Sequence, residues 1–375
     1  AMTLTELQQP LEARLLGQDQ RFEGVTTDSR QAGPGDLFVA LQGENFDGHD
    51  FLPQVAEAGA AAALVGREVD VALSTLQVLD TERALGLLGA YNRSAFPGPL
   101  VAITGSNGKT TVKNMVAAVL SQRGETLATE GNFNNEIGVP LTLLRLQPSN
   151  EYAVVEMGAA AIGDIAWLCE LGRPTISLLL NVRPAHLEGF GSIERVAQAK
   201  GEIFDGLSAG DVAIINADPQ WAGQWRRRAG EATIIDFSRR GKAAVRLLGS
   251  EALGLAGSVF TAATPKGEIA VNLAMPGEHN VSNALAAIAV GIACDLSLEE
   301  IRRGLEAVRP VAGRLSARRV PGGALVVDDC YNANPGSVEA AIDILAAESG
   351  VRTLVLGTMR ELGQDSEQLH RKCGD

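Results

Sequence analysis

With 375 residues, 46% of them hydrophobic and 21% charged, the chain has the composition of a globular protein of two or three domains, each able to bury a core. A net charge of -13 argues against general nucleic-acid or anionic-membrane binding, while a nucleotide can still be held by a local cationic site. No run of about eighteen apolar residues predicts a membrane span, no basic-then-apolar leader opens the chain, and four scattered cysteines without a C-x-x-C pair fit the cytoplasm and offer no metal knuckle.

Residues 1–82 read as a first domain of short strands and a helix, with a strand at Phe38–Leu41 and a helical pattern over 55–65. A connecting helix follows over 82–91, and the Pro97-Gly98-Pro99 break leads into the next domain. Over 83–312 apolar strands alternate with helical patterns. The predicted strands are 100–104, 152–156, 175–182 and 212–216, with a small β excursion at 254–274 and a long apolar helix over 281–293. Such alternation predicts a parallel α/β sheet that binds ligands at the carboxyl ends of its strands. From 313 the pattern restarts as strand 324–328, helix 337–347 and strand 353–356, the opening of a Rossmann-like domain. Sixty-three residues (313–375) are too few to complete one, so the C-terminal domain is expected to be partial.

The most informative stretch is Val101-Ala-Ile-Thr-Gly105-Ser106-Asn107-Gly108-Lys109-Thr110-Thr111. An apolar strand ends in a glycine loop that opens an amphipathic helix. Backbone N–H groups and the positive helix end then converge on one point, where a polyphosphate is the natural ligand. Lys109 would add a charge on the outer phosphates and the Thr110 hydroxyl could hold Mg²⁺. Ile103 stands where the usual G-x-x-x-x-G-K-[ST] loop has its first glycine, so this loop is a shortened version.

Several residues sit where such a site needs them. Glu156 closes the strand 152–156, as a metal ligand or as a strand-end charge in solvent. His186 follows the strand 175–182 and reads equally as a ligand or a loop residue. Lys200 falls in the middle of the apolar stripe Ile193, Val196, Ala197, Ile203, Phe204, Leu207. It is either a lysine reaching out to water or a buried, neutral amine able to capture CO₂ as a carbamate, an oxygen ligand for Mg²⁺. The loop Thr129–Pro140, with Asn134 and Asn135, could bind phosphate or sugar hydroxyls, or form a hydrogen-bonded turn. Asn280 and Asn283 could contact a purine or cap the helix that begins there.

Taken in order, these strings resemble the Mur ligase family of ATP-dependent amide-bond-forming enzymes. The resemblance covers Thr26–Arg30, Phe46–Phe51, Thr104–Thr111, Gly131–Gly138, Ala185–Ser192, Ala199–Phe204, Pro276–Asn280, Gly313-Arg314 and Asp328–Pro335. It implies an α/β, three-domain architecture, with a central P-loop parallel-sheet ATPase domain and an incomplete Rossmann-like C-terminal domain. The Asn-Asn-Glu-Ile-Gly, His-Leu-Glu-Gly-Phe-Gly-Ser and Tyr-Asn-Ala-Asn-Pro strings resemble the branch that joins D-alanyl-D-alanine to a UDP-muramoyl-tripeptide in peptidoglycan precursor synthesis.

By that resemblance Ser29, Arg30, Asp47, Asn134 and Asn135 hold the UDP precursor, and Tyr331 and Asn334 close over it. Gly105 through Thr111, Asn280, Asn283, Arg314 and Asp329 bind ATP. Thr110, Glu156, His186 and a carbamylated Lys200 serve Mg²⁺, and Lys109, Lys200, His186 and Arg314 carry the catalysis. The partners implied are small molecules, with a monomeric protein. Two departures stand out: Thr358 replaces an acid in Leu356–Gly363, and the remaining C-terminal strands and helices are absent. The rival readings are a related Mur ligase that adds a diamino acid, and an ATP- and precursor-binding protein without turnover.

Overall fold

A computed structural model describes every residue except Ala185 and His186. Contacts divide the chain into two compact units, 1–97 with 130–148, and 98–129 with 149–375.

The first unit is built on a five-stranded sheet of β1 (Arg14–Leu16), β2 (Gly24–Thr26), β3 (Asp36–Val39), β4 (Ala62–Val65) and β5 (Ser74–Gln77), in the order β1-β5-β4-β3-β2. Only β1 runs antiparallel. Strand alternation sends Leu37, Val39, Leu64 and Leu76 to one face, against Ala84, Leu85 and Leu88 of the helix Thr81–Ser94. Phe38, Ala63 and Val65 meet Leu52 and Val55 on the other. The helical pattern expected over 55–65 is divided. The helix Leu52–Glu57 stops ahead of Gly59, whose φ of +84° is a left-handed helix end, and Ala62–Val65 becomes a fully buried strand. Residues 130–148 pack here too, although no shift in composition marks them. Their helix, Gly138–Leu143, lies against Thr81–Ser94, and Asn92 Nδ2 donates to Leu143 O at 2.8 Å.

The second unit carries a nine-stranded sheet. Its strands are β6 (Leu100–Thr104), β7 (Thr126–Ala128), β8 (Tyr152–Glu156), β9 (Ile176–Leu179), β10 (Val212–Asn216), β11 (Thr233–Ser238), β12 (Val245–Ala252), β13 (Ser258–Thr264) and β14 (Gly267–Leu273). Their order is β14-β13-β12-β11-β10-β9-β6-β8-β7. The strands are parallel through β12, and β13 and β14 add an antiparallel edge. The chain moves from β6 toward β7 and β8 on one side, then crosses to β9 on the other. β6 therefore sits at the reversal of strand order, where open α/β sheets form a binding crevice.

Strands β6 and β8 are buried on both faces, which is why they read as unbroken apolar runs. One face is covered by α1 (Lys109–Leu120), α4 (Glu278–Ala293) and α5 (Leu298–Ala307), the other by elements that include α2 (Asp164–Gly172), against which α3 (Ile193–Gly201) packs. Helix α5 lies so close to α1 that a Cβ on Gly304 would come within 2.5 Å of Val119 Cα.

Beyond residue 313 a hairpin of β15 (Ser316–Arg319) and β16 (Leu325–Asp328) leads into α6 (Pro335–Ala347). The strand expected at 353–356 is not formed: no regular structure occurs over 351–360, and β16 pairs only with β15. A strand needs a ladder to join, and among the described residues none is offered to this segment.

Candidate active site

The phosphate-loop sequence forms the expected strand, turn and helix. Gly108 precedes α1 at φ +84°, and a Cβ there would approach Asn283 Oδ1 to 3.0 Å. Glycine is therefore required both by backbone sterics and by the asparagine packed on the loop. Asn283 and Asn280 are both buried, and they are linked to each other (Nδ2 to Oδ1, 3.1 Å) and to Pro276 O (2.8 Å).

The loop amides divide into two groups. Ser106 N–H donates to Asn181 O at 3.1 Å, and Asn107 N–H donates to Asn181 Oδ1 at 2.9 Å. Among the described residues, the N–H groups of Gly108, Lys109, Thr110 and Thr111 have no such partner. These four lie at the positive end of a twelve-residue helix, where exposed backbone N–H groups favour an anion. Gly105, Ser106 and Asn107, expected to bind ATP, frame the turn.

The side chains form a charged relay across the loop. Arg314 Nη2 donates to Thr110 Oγ1 at 3.1 Å, and Thr110 Oγ1 donates to Glu156 Oε2 at 3.2 Å. Glu156 is only 2% exposed, and the parallel register places it opposite Ile103, beside the loop. Lys109 Nζ bends back onto Gly105 O at 2.8 Å. Burial lowers its pKa, a trend that Glu156 opposes and Arg314 reinforces. Lys200 is 1% exposed, so the buried alternative for this residue is the one observed. Burial first, and the Lys109 charge second, push it well below the usual lysine range.

The C-terminal segment meets this loop twice. Arg314 lies over the Tyr331 ring, 4.1 Å from its centroid, while reaching Thr110. Asn334 caps α6 through Ser337 N–H (3.0 Å) and gives its amide to Asn107 Oδ1. Asp329 accepts Leu315 N–H at 3.1 Å. Burial raises its pKa, partly offset by that bond and by Arg314. Lys109, Thr110, Glu156, Lys200, Asn280, Asn283, Arg314, Asp329, Tyr331 and Asn334 are thus all in the second unit. His186 lies outside the described residues.

The remaining predicted residues are in the first unit. Ser29 lines a cavity of about 320 Å³ with Thr27, Asp28, Phe38, Phe46 and Phe51. Arg30 forms a two-pronged pair with Asp28 at 2.9 and 3.0 Å. Asp47 is committed to the fold, holding His49 (2.6 Å to Nδ1) and Arg67 (2.9 Å). Burial pushes its pKa up, but those hydrogen bonds outweigh it and hold the group at about 2. Asn135 Oδ1 accepts Gly138 N–H at 2.8 Å, tying the loop to the following helix. Asn134 donates its N–H to Asn132 O at 2.7 Å within the same loop.

Sequence reasoning missed Asn181 and Glu202. Glu202 accepts the amides of Gly163 (2.9 Å) and Ala166 (3.2 Å) at the start of α2. A polar residue directly after a core strand was the available signal for Asn181. Nothing local marks Glu202.

Comparison with known proteins bears on the family rather than on the individual site residues. Residues 103–291 match the Mur ligase middle domain, 21–90 the Mur ligase family catalytic domain, and 313–375 the Mur ligase glutamate ligase domain. UDP-N-acetylmuramoyl-tripeptide–D-alanyl-D-alanine ligase of Escherichia coli is 46% identical over 375 residues, all of this chain and 83% of that protein. The crystal structure of MurF from Acinetobacter baumannii superposes with a TM-score of 0.94 at 38% identity, covering 99% of this chain and 82% of that one. MurF of Thermotoga maritima, solved in complex with ADP, gives 0.86 at 30% identity over 94% and 81%. A UDP-N-acetylmuramoyl-L-alanyl-D-glutamate–2,6-diaminopimelate ligase shares the fold, with a TM-score of 0.60 at 22% identity. With three domain matches in order and a full-length relative at this identity, the chain belongs to the Mur ligase family.

Proposed function

We propose that this protein is the ATP-dependent ligase that joins D-alanyl-D-alanine to UDP-N-acetylmuramoyl-tripeptide in peptidoglycan precursor synthesis. The observation that carries the reading is the Arg314–Thr110–Glu156 relay beside four loop amides without a partner among the described residues, in a chain 46% identical to a ligase of that name. The amides of Gly108–Thr111 hold the ATP phosphates, and Asn280 and Asn283 pack beneath the nucleotide. The substrate carboxylate attacks the γ-phosphorus, giving an acyl phosphate and ADP. Two anions must meet in that step, so Lys109 and Arg314 offset their repulsion. The dipeptide amine then attacks the acyl carbon and expels phosphate, giving the amide. Tyr331 and Asn334 exclude water from the acyl phosphate.

The oxygen donors of Thr110 and Glu156 fit Mg²⁺, with His186 and Lys200 as further holders. The ion would supply charge neutralisation on the phosphates. Lys200, buried and inclined to neutrality, is the amine suited to carbamate formation. In the first unit, the aromatic-walled cavity containing Ser29 receives the UDP end, and Arg30 lies next to Ser29 in the chain. The protein works as a monomer in the cytoplasm. No helix among the described residues is long and apolar enough to cross a membrane.

An acceptor panel tests the assignment. With UDP-muramoyl-tripeptide and ATP, D-alanyl-D-alanine should give amide product and phosphate. With UDP-muramoyl-dipeptide and ATP, free diaminopimelate should give neither. Turnover only with diaminopimelate would move the protein to the neighbouring ligase. Nucleotide binding without any product would leave a binding protein.

A further inference from the structure

Asn181 follows β9, and its side chain pairs with the backbone of Asn107 as one strand pairs with another. Its Oδ1 accepts the Asn107 N–H at 2.9 Å and its Nδ2 donates to the Asn107 carbonyl at 3.0 Å. Its own carbonyl accepts the Ser106 N–H at 3.1 Å, and the Arg183 N–H donates to Ser106 Oγ at 2.9 Å. The segment is held from its other side, where Asn216 Nδ2, at the end of β10, donates to Leu180 O at 2.9 Å.

The consequence follows from peptide planarity. A trans peptide directs its C=O and N–H to opposite sides. The Asn107 carbonyl is fixed on Asn181, so the Gly108 N–H in the same plane is directed away from it. The Ser106 and Asn107 amides are consumed by the neighbouring strand end, and the next four, without a partner among the described residues, remain together at the start of α1.

We propose that Asn181 is a positioning residue for the nucleotide: its amide clasps the Asn107 peptide and thereby orients the Gly108–Thr111 amides for phosphate. The inference rests on the ATP-binding reading above and goes beyond it, because it assigns the loop's conformation to a side chain outside the phosphate-loop motif.

The test uses the full chain with Asn181→Leu, which keeps the size and removes both hydrogen bonds. Mg²⁺-ATP binding should weaken about tenfold by calorimetry. KM for ATP should rise while KM for D-alanyl-D-alanine stays unchanged, a split that general loosening of the fold would not produce. Hydrogen exchange in the peptide spanning 104–109 should accelerate in the nucleotide-free protein. Asn181→Asp keeps the shape and the acceptor but exchanges the donor for an anionic oxygen facing the Asn107 carbonyl, so it should weaken ATP binding as well. ATP affinity within twofold of wild type in either variant would overturn the proposal. Wild type that fails to bind Mg²⁺-ATP is a different result, and it overturns the functional reading itself.

Discussion

Thr110 is the residue on which the candidate site turns, because its one hydroxyl links Arg314 to Glu156. Its neighbour Lys109 rests its Nζ on Gly105 O at 2.8 Å. Lys109→Ala should reduce ATP-dependent phosphate release by on the order of 100-fold or more, the scale for losing a transition-state charge contact. Unchanged release would remove Lys109 from the reaction. Lys200→Ala should also lose activity, and added formate, a small carboxylate, should restore part of it if a carbamate acts there. Recovery of nothing across a formate titration would count against the carbamate. Asp47 tests a different property, stability. Its pKa is held at about 2 in the folded protein, below the usual carboxylate value near 3.9. Its contribution is therefore complete above roughly pH 4 and is lost as pH falls toward 2. Asp47→Asn should lower the melting temperature at pH 7, with the gap to wild type narrowing at pH 3. A gap independent of pH would mean the carboxylate charge is not the stabilising feature.

Elements were legible where burial was symmetric. Residues 100–104, 152–156 and 212–216 become strands with the expected bounds, because parallel strands covered on both faces must be apolar throughout. The helix before Val281 starts earlier than expected, at Glu278, since polar residues open its first turn. The alanine-rich run at 55–65 misled, because alanine suits a helix and a tightly buried strand equally. Only the left-handed Gly59 separates the two. The apolar run at 353–356 looks like a strand in isolation, but its partner ladder is a tertiary property that spacing does not report. The packing of α5 on α1 is equally silent in the sequence. Gly304→Ala should cost about 1–3 kcal/mol by overpacking against Val119. A denaturant midpoint equal to that of wild type would show that the helices can part without strain.

At the scale of the whole molecule, the motif strings carried the family and the order of its domains, and the matches over 21–90, 103–291 and 313–375 agree with them. The placement of candidate residues was legible where the element they end fixes it: Thr110 and Lys109 at a helix start, Glu156 at a strand end. It was not legible where a role depends on a neighbour distant in sequence. Asn181 reaches Asn107 across 74 residues, and Arg314, whose contact with Thr110 spans 204, was picked out only through the family resemblance. The same long-range contacts bring the C-terminal segment to the phosphate loop, so nucleotide binding and that segment's seating should be coupled. The most direct measurement is a calorimetric titration of the purified chain with ATP, with and without Mg²⁺. The account predicts saturable, magnesium-dependent binding of one ATP that Lys109→Ala weakens; absence of magnesium-dependent binding in wild type would contradict it.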